Sequence, residues 1–244
     1  MVSRIERELQ HGAKISEHAE DIWNWSSPAG KLRVKRRAGY FLDLTHVNSH
    51  HSVLEIGCGT GIFTENIAVS GAKIIAVDLS DTLLQVARQK NINNCIFEQA
   101  DAHKLPYNNN SFDIILGSSV LHHLDMEIAL NEIFRTLKPL GKIVFAEPNM
   151  LNPQILIQKN IPFVKAWLGD SPDETAIVRW RLAKTLKEIG FINIKIFPYD
   201  FLHPATPGSL IHIVNDIGRI IEKIPIFKEI AGSLIIYAQK GTKS

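Results

Sequence analysis

The residues best suited to chemistry form a short glycine-rich segment. An acid is followed by three glycines at every second position, in the order Glu55, Ile56, Gly57, Cys58, Gly59, Thr60, Gly61. Glycines in such a turn let backbone N–H groups approach a ligand without a Cβ in the way. A second apolar run, 74–77, ends in Asp78, and an acid there can accept hydrogen bonds from both hydroxyls of a ribose. The pattern predicts a strand, a tight turn and a helix N-terminus that bind a nucleoside-containing ligand.

The spacing of the glycines separates two classes of ligand. The dinucleotide fingerprint is G-x-G-x-x-G, with a pyrophosphate at the helix N-terminus. Here the spacing is G-x-G-x-G, and Glu55 stands just before it. An acid at the entrance of the loop suits a cationic ligand better than a pyrophosphate. A nicotinamide-dependent oxidoreductase is therefore disfavoured.

Further motifs follow in order along the chain. They are Ala100-Asp101-Ala102, the run from Ser111 to Leu124, Leu137-Lys138-Pro139-Leu140-Gly141-Lys142, and the run from Ile143 to Pro148. Together with E-x-G-x-G-x-G and Val-Asp, they resemble class I S-adenosylmethionine-dependent methyltransferases. In order and spacing they are similar to the small-molecule branch typified by the ubiquinone and menaquinone C-methyltransferases. The resemblance covers roughly residues 50 to 150, and it specifies cofactor and fold but not substrate.

The resemblance implies that S-adenosylmethionine binds at the ends of the first four strands. The residues it assigns to the cofactor are Glu55, Gly57, Cys58, Gly59, Thr60, Gly61, Asp78, Leu79, Asp101, Ala102, Ser118 and Ser119. Asp78 would accept from the ribose hydroxyls, Leu79 would pack on the adenine, and Asp101 would accept from the adenine amino group. Glu55 would orient the loop or meet the cofactor amine through water. An alternative for Asp101 is a turn acid that caps nearby N–H groups.

A general base is needed only if the acceptor must lose a proton. His122 and His123, just past the fourth strand, are the candidates, with His123 slightly favoured; alternatively, this turn is structural and faces the cofactor. Glu147 and Asn149 should face the acceptor, unless they only cap loop N–H groups. No metal site is expected. Strand four ends in Ser-Ser-Val rather than the Asn/Asp-Pro-Pro-aromatic motif of methyltransferases acting on nucleic-acid amino groups, which argues against a base-modifying enzyme.

Apolar runs alternate with helical patterns from residue 52 onward. Strands are predicted at 52–56, 73–77, 95–98, 112–117, 142–147, 191–197 and 234–239. Helices are predicted near 29–44, 61–70, 81–90, 125–137 and 174–189. This alternation predicts an α/β, Rossmann-like fold with a seven-stranded, mostly parallel sheet and helices on both faces. The resemblance implies an antiparallel seventh strand between the fifth and the sixth.

We expect residues 1–244 to form a single domain with a cofactor-binding core at 51–147. Residues 1–50 would be a helical lid, and 148–173 and 199–232 would be helical insertions on the substrate side. We place Trp25 and Arg36 on that side too. An arginine of the basic N-terminal helix would close over the cofactor carboxylate or an anionic substrate. The alternatives are a solvated basic face and a tryptophan that only anchors the helix.

The apolar insertions would roof an acceptor pocket, or would form extra core or a face between two copies in a homodimer. An apolar roof favours a small apolar or amphiphilic acceptor such as a lipid, quinone or polyketide. A sugar or another polar metabolite is the alternative acceptor. A non-catalytic S-adenosylmethionine-binding protein also stays open, because no catalytic side chain is obligatory in this fold.

Bulk composition narrows the class of protein. The 244 residues have a formal net charge of +2, so the chain lacks the excess of basic residues that is typical of nucleic-acid-binding proteins. Two cysteines give no disulfide framework. The charged N-terminus does not resemble a signal peptide, and no apolar run has the length needed to span a bilayer. We therefore expect a cytoplasmic protein without stable membrane insertion.

Overall fold

Seven strands form one twisted sheet in the computed structural model, which describes residues 6, 9, 12, 13, 15, 18–161, 163–164 and 176–242. The strands are β1 (Ser52–Ile56), β2 (Lys73–Asp78), β3 (Cys95–Gln99), β4 (Phe112–Ser118), β5 (Leu137–Pro148), β6 (Phe191–Tyr199) and β7 (Ser233–Lys240). Their order is β3-β2-β1-β4-β5-β7-β6. Strands β1 to β5 pair in parallel, whereas β7 is antiparallel to both β5 and β6. The predicted sheet and its antiparallel seventh strand are confirmed.

The helices of the described residues lie between and beside these strands. They are α1 (Ala19–Ile22), α2 (Pro28–Thr45), α3 (Ile62–Ala68), α4 (Asp81–Gln89), α5 (Met126–Thr136), α6 (Pro153–Asn160), α7 (Arg179–Ile189) and α8 (Ile211–Ile221). The side chains of Ser27 and Ser80 accept hydrogen bonds from the first turns of α2 and α4, which fixes where these helices begin. Gly190 adopts a left-handed conformation and ends α7.

Apolar side chains pack on both faces of the sheet. Leu54 and Ile115 belong to a core shared with α5 and α7, whereas their neighbours Val53 and Ile114 belong to a core shared with α2 and α3. Successive strand residues point to opposite faces, so one continuous apolar run can serve both layers. Covering helices on both sides are therefore a direct consequence of these strand sequences.

Two differences from the predicted elements have local causes. Strand β5 begins at Leu137 rather than at residue 142, because Leu137 pairs with Phe112 before a register irregularity. Leu140, with a φ of 62°, lies within that irregular stretch. The helix predicted from 174 begins at Arg179, and residues 165–175, which include part of both the predicted helix and the predicted 148–173 insertion, lie outside the described residues.

The segment 199–232 is anchored above α2. Ile211 of α8 packs with Ala29 of α2 and Leu202 in a small apolar cluster. Gly218, one turn from the end of α8, lies so close to Phe201 that an added Cβ would be 3.1 Å from its side chain. The outer face of α8 is apolar but exposed, with Ile213, Ile217 and Ile220 each more than half accessible. These contacts place the segment beside the carboxyl ends of the strands.

Candidate functional site

A cavity of about 920 Å³ opens at the carboxyl ends of β1, β2 and β4. This is the edge of a parallel sheet where ligands of doubly wound folds bind. The floor is formed by the loops that follow the strands. The walls come from the segment 22–37 and from residues 200–205. The cavity thus lies between the glycine-rich loop and two segments outside the predicted core, 22–37 and 200–205.

The glycine-rich loop requires glycine for steric reasons. Gly57 and Gly59 have φ values of 67° and 53°, in the left-handed region that side chains disfavour. A Cβ on Gly57 would lie 2.4 Å from a methyl group of Val120, and one on Gly59 would lie 3.3 Å from the ring of Trp23. Both glycines line the cavity. The loop therefore presents bare backbone to the cavity.

Asp78, at the end of β2, connects this loop to the next one. Its carboxylate accepts hydrogen bonds from the N–H groups of Gly59 (2.8 Å) and Ser80 (2.9 Å). Burial raises the pKa of Asp78 above its ordinary value, although these two N–H groups oppose the shift. The side chain lines the cavity, so it can hold the loop and still face a ribose.

Asp101 also lines the cavity, at the end of β3. One of its oxygens accepts from the N–H of His103 (2.9 Å) and lies 2.6 Å from Nδ1 of the same residue. Nε2 of His103 in turn accepts from the N–H of Asp125 (2.9 Å). Asp101 therefore caps a nearby N–H group, as in the alternative interpretation of this residue as a turn acid. It also faces the cavity.

The N-terminal segment lies directly over the glycine-rich loop. The carboxylate of Glu20, in α1, accepts from the hydroxyl of Thr60 (2.7 Å) and from Nζ of Lys90 (3.0 Å). Trp23 follows α1 and borders the cavity beside Gly59. We call residues 19–27 the N-terminal strap. Polar contacts to the loop and to α4 hold this strap at the cofactor side of the cavity.

His122 and Glu147 form a buried pair. Nδ1 of His122 lies 2.7 Å from Oε2 of Glu147, and Oε1 of Glu147 accepts from the N–H groups of Val120 and Leu121 (both 2.9 Å). Burial by itself would raise the pKa of Glu147, but His122 and the two N–H groups outweigh it and lower the pKa. An ionised Glu147 can accept a hydrogen bond from Nδ1–H of His122, so the pair favours the Nδ1–H tautomer of the ring.

His123 is oriented differently from His122. Its ring packs against that of His122 at a tilt of 39°, with 4.2 Å between the ring centroids. It also lies near enough to Asp78 for its charge to lower the pKa of that acid, against the larger effect of burial. Both histidines line the cavity. His122 is thus fixed by an acid, whereas His123 adjoins the predicted ribose site.

The cavity brings together many, but not all, of the predicted site residues. Those lining it are Gly57, Cys58, Gly59, Asp78, Leu79, Asp101, Ala102, Ser118, Ser119, His122, His123 and Trp25. Those placed outside its lining are Glu55, Thr60, Gly61, Glu147, Asn149 and Arg36. Thr60 contacts the strap instead, and Gly61 caps α3 with a φ of 76°.

The other four residues outside the lining make internal contacts. Burial raises the pKa of Glu55 to about 8, opposed by the Thr64 hydroxyl and reinforced by the charge of Asp78. The Asn149 side chain donates to the carbonyls of Glu229 and Ala231 (both 2.8 Å). Glu147 orients His122, and Arg36 pairs with Glu222 on a separate surface depression. The expectation that Glu147, Asn149 and Arg36 face the acceptor is not met by this geometry.

Several lining residues were not singled out by the sequence. Arg33 and Arg37, one helical turn apart on α2, replace Arg36 as the arginines that border the cavity. Nε of Arg33 donates to Asp200 (2.7 Å), and Asp200 and Ser233 also line the cavity. The spacing i, i+4 within the basic helix was the available signal for the two arginines. Nothing in the local sequence indicated Asp200 or Ser233.

Two features are absent from the part of the chain that is described. Among residues 18–161, 163–164 and 176–242, no three His, Cys, Asp or Glu side chains are grouped to hold a metal ion. Within the same ranges, none of the helices has the length and apolar character required to cross a bilayer.

Comparison with known sequences finds a methyltransferase domain and related methyltransferases. Residues 54–145 match the model of the methyltransferase domain family. The ubiquinone/menaquinone biosynthesis C-methyltransferase UbiE of Pasteurella multocida is 33% identical over 136 residues, 52% of this chain and 50% of that protein. The ubiquinone biosynthesis O-methyltransferase of Coxiella burnetii is 33% identical over 149 residues, 56% of this chain and 61% of that protein. The matched region thus spans only about half to three fifths of these relatives.

Solved structures share the fold over nearly the whole chain. A chain from the complex of the Haloferax volcanii Trm112 methyltransferase activator has a TM-score of 0.71 at 17% identity, covering 95% of this chain and 98% of that one. Phosphoethanolamine N-methyltransferase 2 of Haemonchus contortus, in complex with S-adenosyl-L-methionine, has a TM-score of 0.64 at 18% identity, covering 91% and 56%. The sheet order, the glycine-rich loop and these matches identify residues 54–145 as the domain of a class I S-adenosylmethionine-dependent methyltransferase.

Proposed function

We propose that this protein transfers a methyl group from S-adenosylmethionine to a small apolar or amphiphilic acceptor. The observation that supports this most is the continuity of the cavity. It runs from Gly59 and Asp78, where the nucleoside fits, to His122 and the residues around Phe201. The space proposed for the nucleoside and a second space therefore belong to one continuous cavity.

The cofactor fits the residues that are present. The loop is bare where a Cβ would collide with Val120 or Trp23, and Asp78 offers a carboxylate to ribose hydroxyls. S-adenosylmethionine supplies a methyl group already activated on a sulfonium. The protein then has to align the acceptor and exclude water. The strap and residues 200–205, which wall the cavity, serve that purpose.

The acceptor side of the cavity supports an amphiphilic molecule. Its apolar walls include Trp25, Phe63, Ile155, Phe201 and Leu202. Polar groups there include His203 and Gln154, which lie 3.2 Å apart, together with Asn152 and Asp200. By name, the relatives described above are a ubiquinone/menaquinone biosynthesis C-methyltransferase and a ubiquinone biosynthesis O-methyltransferase. A phenol or hydroquinone with an apolar tail would match these walls.

We assign the general base to His122 rather than to His123. The Glu147 carboxylate lies 2.7 Å from Nδ1 of His122 and orients the ring, so that a proton removed from an acceptor hydroxyl would go to Nε2. A buried carboxylate also stabilises the imidazolium that forms. His123, beside Asp78, belongs to the cofactor wall in this proposal.

The proposal is tested by binding and by label transfer. Calorimetry should show that the wild-type protein binds S-adenosylhomocysteine and not NAD. Asp78→Asn should weaken that binding about tenfold or more, because ribose hydroxyls lose a charged acceptor worth roughly 1.5–3 kcal/mol. Incubation with methyl-labelled cofactor and a panel of alkyl phenols, hydroquinones and sugars should put label in the phenolic products. Label found only in sugars would contradict the apolar acceptor, and no binding at all would contradict the function.

A further inference from the structure

Helix α8 has three distinct sides, whereas a typical surface helix of a globular protein has two. Its first side is buried, because Ile211 packs against α2 and Gly218 lies against Phe201. Its second side carries polar residues. The third side is apolar and faces the solvent, and each of its residues is more than half exposed: Ile213, Ile217 and Ile220. A contiguous apolar surface that is left exposed is typical of a binding surface.

The exposed apolar surface continues past the end of α8. The three isoleucines are spaced i, i+4 and i+7, so they form one stripe along the helix, which Ile224 extends beyond the last turn. The next residues add Ile226, which is 81% exposed, and the ring of Phe227. We call the following residues the isoleucine face: Ile213, Ile217, Ile220, Ile224, Ile226 and Phe227.

Two cations lie beside the isoleucine face. A polar stripe runs parallel to the isoleucines, about 100° around the helix from them, because each of its members directly precedes an isoleucine: His212, Asp216, Arg219 and Lys223. Asp216 is the acid of this stripe, and Glu222 beside it is paired with Arg36. Arg219 and Lys223 are exposed, and neither takes part in an ion pair among the described side chains. The polar stripe therefore carries a net positive charge.

Apolar side chains flanked by cations are typical of helices that lie in the interface of a bilayer. The apolar side chains enter the boundary of the acyl chains, and the cations stay at the level of the headgroups. A two-fold contact between copies of this chain would instead place one net positive surface against itself. Anionic lipids thus match both the apolar and the charged part of this surface.

The segment that carries the isoleucine face also borders the cavity. Residues 200–205, which precede α8, form one of its walls. The side chain of Asn152, at the start of α6, donates to the carbonyl of Ile230 (2.8 Å) and so joins α6 to the end of the same segment. Helix α6 contributes Ile155 to the cavity lining, and the next two residues are apolar and exposed, Leu156 and Ile157. Exposed apolar side chains therefore occur on both segments that border the acceptor side of the cavity.

We propose that the isoleucine face binds the surface of a bilayer that contains anionic lipids. The stripe of α8 and residues 224–227 enter the acyl boundary, and Arg219 and Lys223 meet the headgroup phosphates. The inference deepens the proposed function and rests on it for its purpose, which is to bring the cavity to an amphiphilic acceptor dissolved in the bilayer. The contact is peripheral, so it needs no helix that spans the membrane.

Co-sedimentation of the full chain with vesicles tests the apolar part. Vesicles of phosphatidylcholine with about 30% phosphatidylglycerol are compared with vesicles of phosphatidylcholine alone, and wild type should bind the mixed vesicles more tightly. The double variant Ile217→Gln with Ile220→Gln should bind them about tenfold more weakly or worse, because two apolar side chains no longer leave water. Ile96→Gln, at an exposed position of β3 on the opposite edge of the sheet, should match wild type.

Substitution of the cations tests the charged part. Arg219→Gln and Lys223→Gln should each lower the affinity for the mixed vesicles about fivefold. Lys73→Gln, which removes an exposed lysine at the start of β2, should leave it unchanged. Raising the salt concentration to about 0.5 M should weaken wild-type binding to the mixed vesicles.

Circular dichroism checks that each variant is folded. If the helix variant is not, Ile226→Gln with Phe227→Gln, outside the helix, provides a second test of the same face. A wild-type chain that binds neither kind of vesicle, or folded face variants that bind as tightly as wild type, would overturn the proposal. Sedimentation velocity adds a third outcome: a wild-type dimer that Ile217→Gln with Ile220→Gln converts to monomers would assign the face to a second copy and overturn the lipid contact.

The lipid contact and the proposed function fail separately. The face residues lie outside the cavity lining, so the face variants should bind S-adenosylhomocysteine with wild-type affinity in calorimetry. A chain that binds this nucleoside but no vesicle would overturn the lipid contact alone. A chain that binds mixed vesicles through the isoleucine face but not the nucleoside would contradict the proposed function and support the lipid contact.

Discussion

At the residue scale, the two oxygens of Glu147 have separate tasks. Oε1 binds the N–H groups of Val120 and Leu121, which start the turn after β4, and Oε2 binds His122. The side chain is fully buried, so these contacts keep it ionised against the cost of desolvation. Glu147 therefore positions the histidine by shaping the turn and by fixing the tautomer.

The two histidines should respond differently to substitution. His122→Gln should lower turnover about 10²–10⁴-fold with the acceptor found by label transfer, because a general base is lost. The Kd for S-adenosylhomocysteine should stay within a few-fold. His123→Gln should do the reverse, weakening cofactor binding more than turnover at saturation. A kcat loss under about threefold for His122→Gln would remove it as the base.

Glu147→Gln supplies a test that needs no acceptor. The amide leaves the shape of the side chain nearly unchanged but no longer requires a proton from Nδ1 of His122. Nitrogen-15 spectra of the histidine rings should therefore show the Nδ1–H tautomer in wild type and a mixture in the variant. Identical tautomers in the two proteins would mean that the acid does not set the protonation of the ring.

Glu55 makes stability depend on pH in an unusual direction. Its pKa is raised from 4.5 to about 8 by burial, so the folded protein keeps a proton that the unfolded chain loses. Between pH 4.5 and 8 the folded state binds more protons, and the free energy of unfolding falls as pH rises. Above that interval both states are ionised and the penalty is constant.

Glu55→Gln should remove this dependence. Relative to wild type, the variant should gain stability on going from pH 5 to pH 8, by about 1.4 kcal/mol for each unit of pKa shift. Urea denaturation at pH 5, 6.5 and 8 measures the difference. Glu188→Gln, at an exposed position on α7, should show no such gain. A constant difference between Glu55→Gln and wild type across this range would contradict the raised pKa.

At the element scale, the N-terminal strap is attached to the glycine-rich loop by one carboxylate. Glu20 bonds to Thr60 and to Lys90, so the strap is joined to both the loop and α4. Among its side chains, Ala19 and Trp25 are buried, and Trp23 is partly buried against neighbouring apolar clusters. Because Trp23 borders the cavity, opening of the strap would widen the access to the glycine-rich loop.

Glu20→Ala should loosen the strap without unfolding the sheet. Amide hydrogen exchange at residues 19–27 should increase severalfold in the variant, whereas exchange in β1 and β4 should not change. Adding S-adenosylhomocysteine should slow exchange in the strap of the wild type. Glu127→Ala, which removes an exposed acid from α5, is the control. Strap exchange that is the same with and without Glu20 would show that the bond to Thr60 does not hold it.

Periodicity predicted the elements well, and it predicted contacts between distant elements poorly. The bounds of β1 and the helix caps Ser27 and Ser80 depend on residues that are close in sequence, so local patterns were enough to predict them. The direction of Arg36 could not be predicted in this way. Arg36 and Arg37 are successive residues of one helix and point about 100° apart, and only packing decides which of them borders the cavity. Glu147 looked available for an acceptor because its partners lie 25 to 27 residues away.

At the scale of the whole molecule, Lys240 joins several segments at the end of the sheet that lies opposite the cavity. At the end of β7 its Nζ donates to the side chain of Asn110 (2.9 Å) and to the carbonyls of Phe134 and Leu137, the latter at 2.8 Å. These groups lie before β4, in α5 and at the start of β5. One ammonium group therefore joins the last strand to three segments on its own side of the sheet.

Lys240→Met should lower the free energy of unfolding by about 1–3 kcal/mol, because carbonyl groups lose their donor. The apolar stem is kept, so the loss reports mainly on the ammonium group. Urea denaturation measures it, with Lys73→Met, an exposed lysine at the start of β2, as the control. Cofactor affinity should not change, since the cavity lies at the opposite edge of the sheet. Equal stability of the two variants would mean that solvent replaces all three contacts.

The position of β7 has a consequence for the order in which the nascent chain can fold. Among the described strands, β6 (Phe191–Tyr199) pairs with β7 alone, and β7 is translated about thirty residues later. While the ribosome is still translating the segment between them, β1 to β5 can already pair, but β6 has no edge to join. The cavity wall at residues 200–205 must wait with it. Completion of the sheet, and with it of this wall, therefore depends on the insertion of Ser233–Lys240 between β5 and β6.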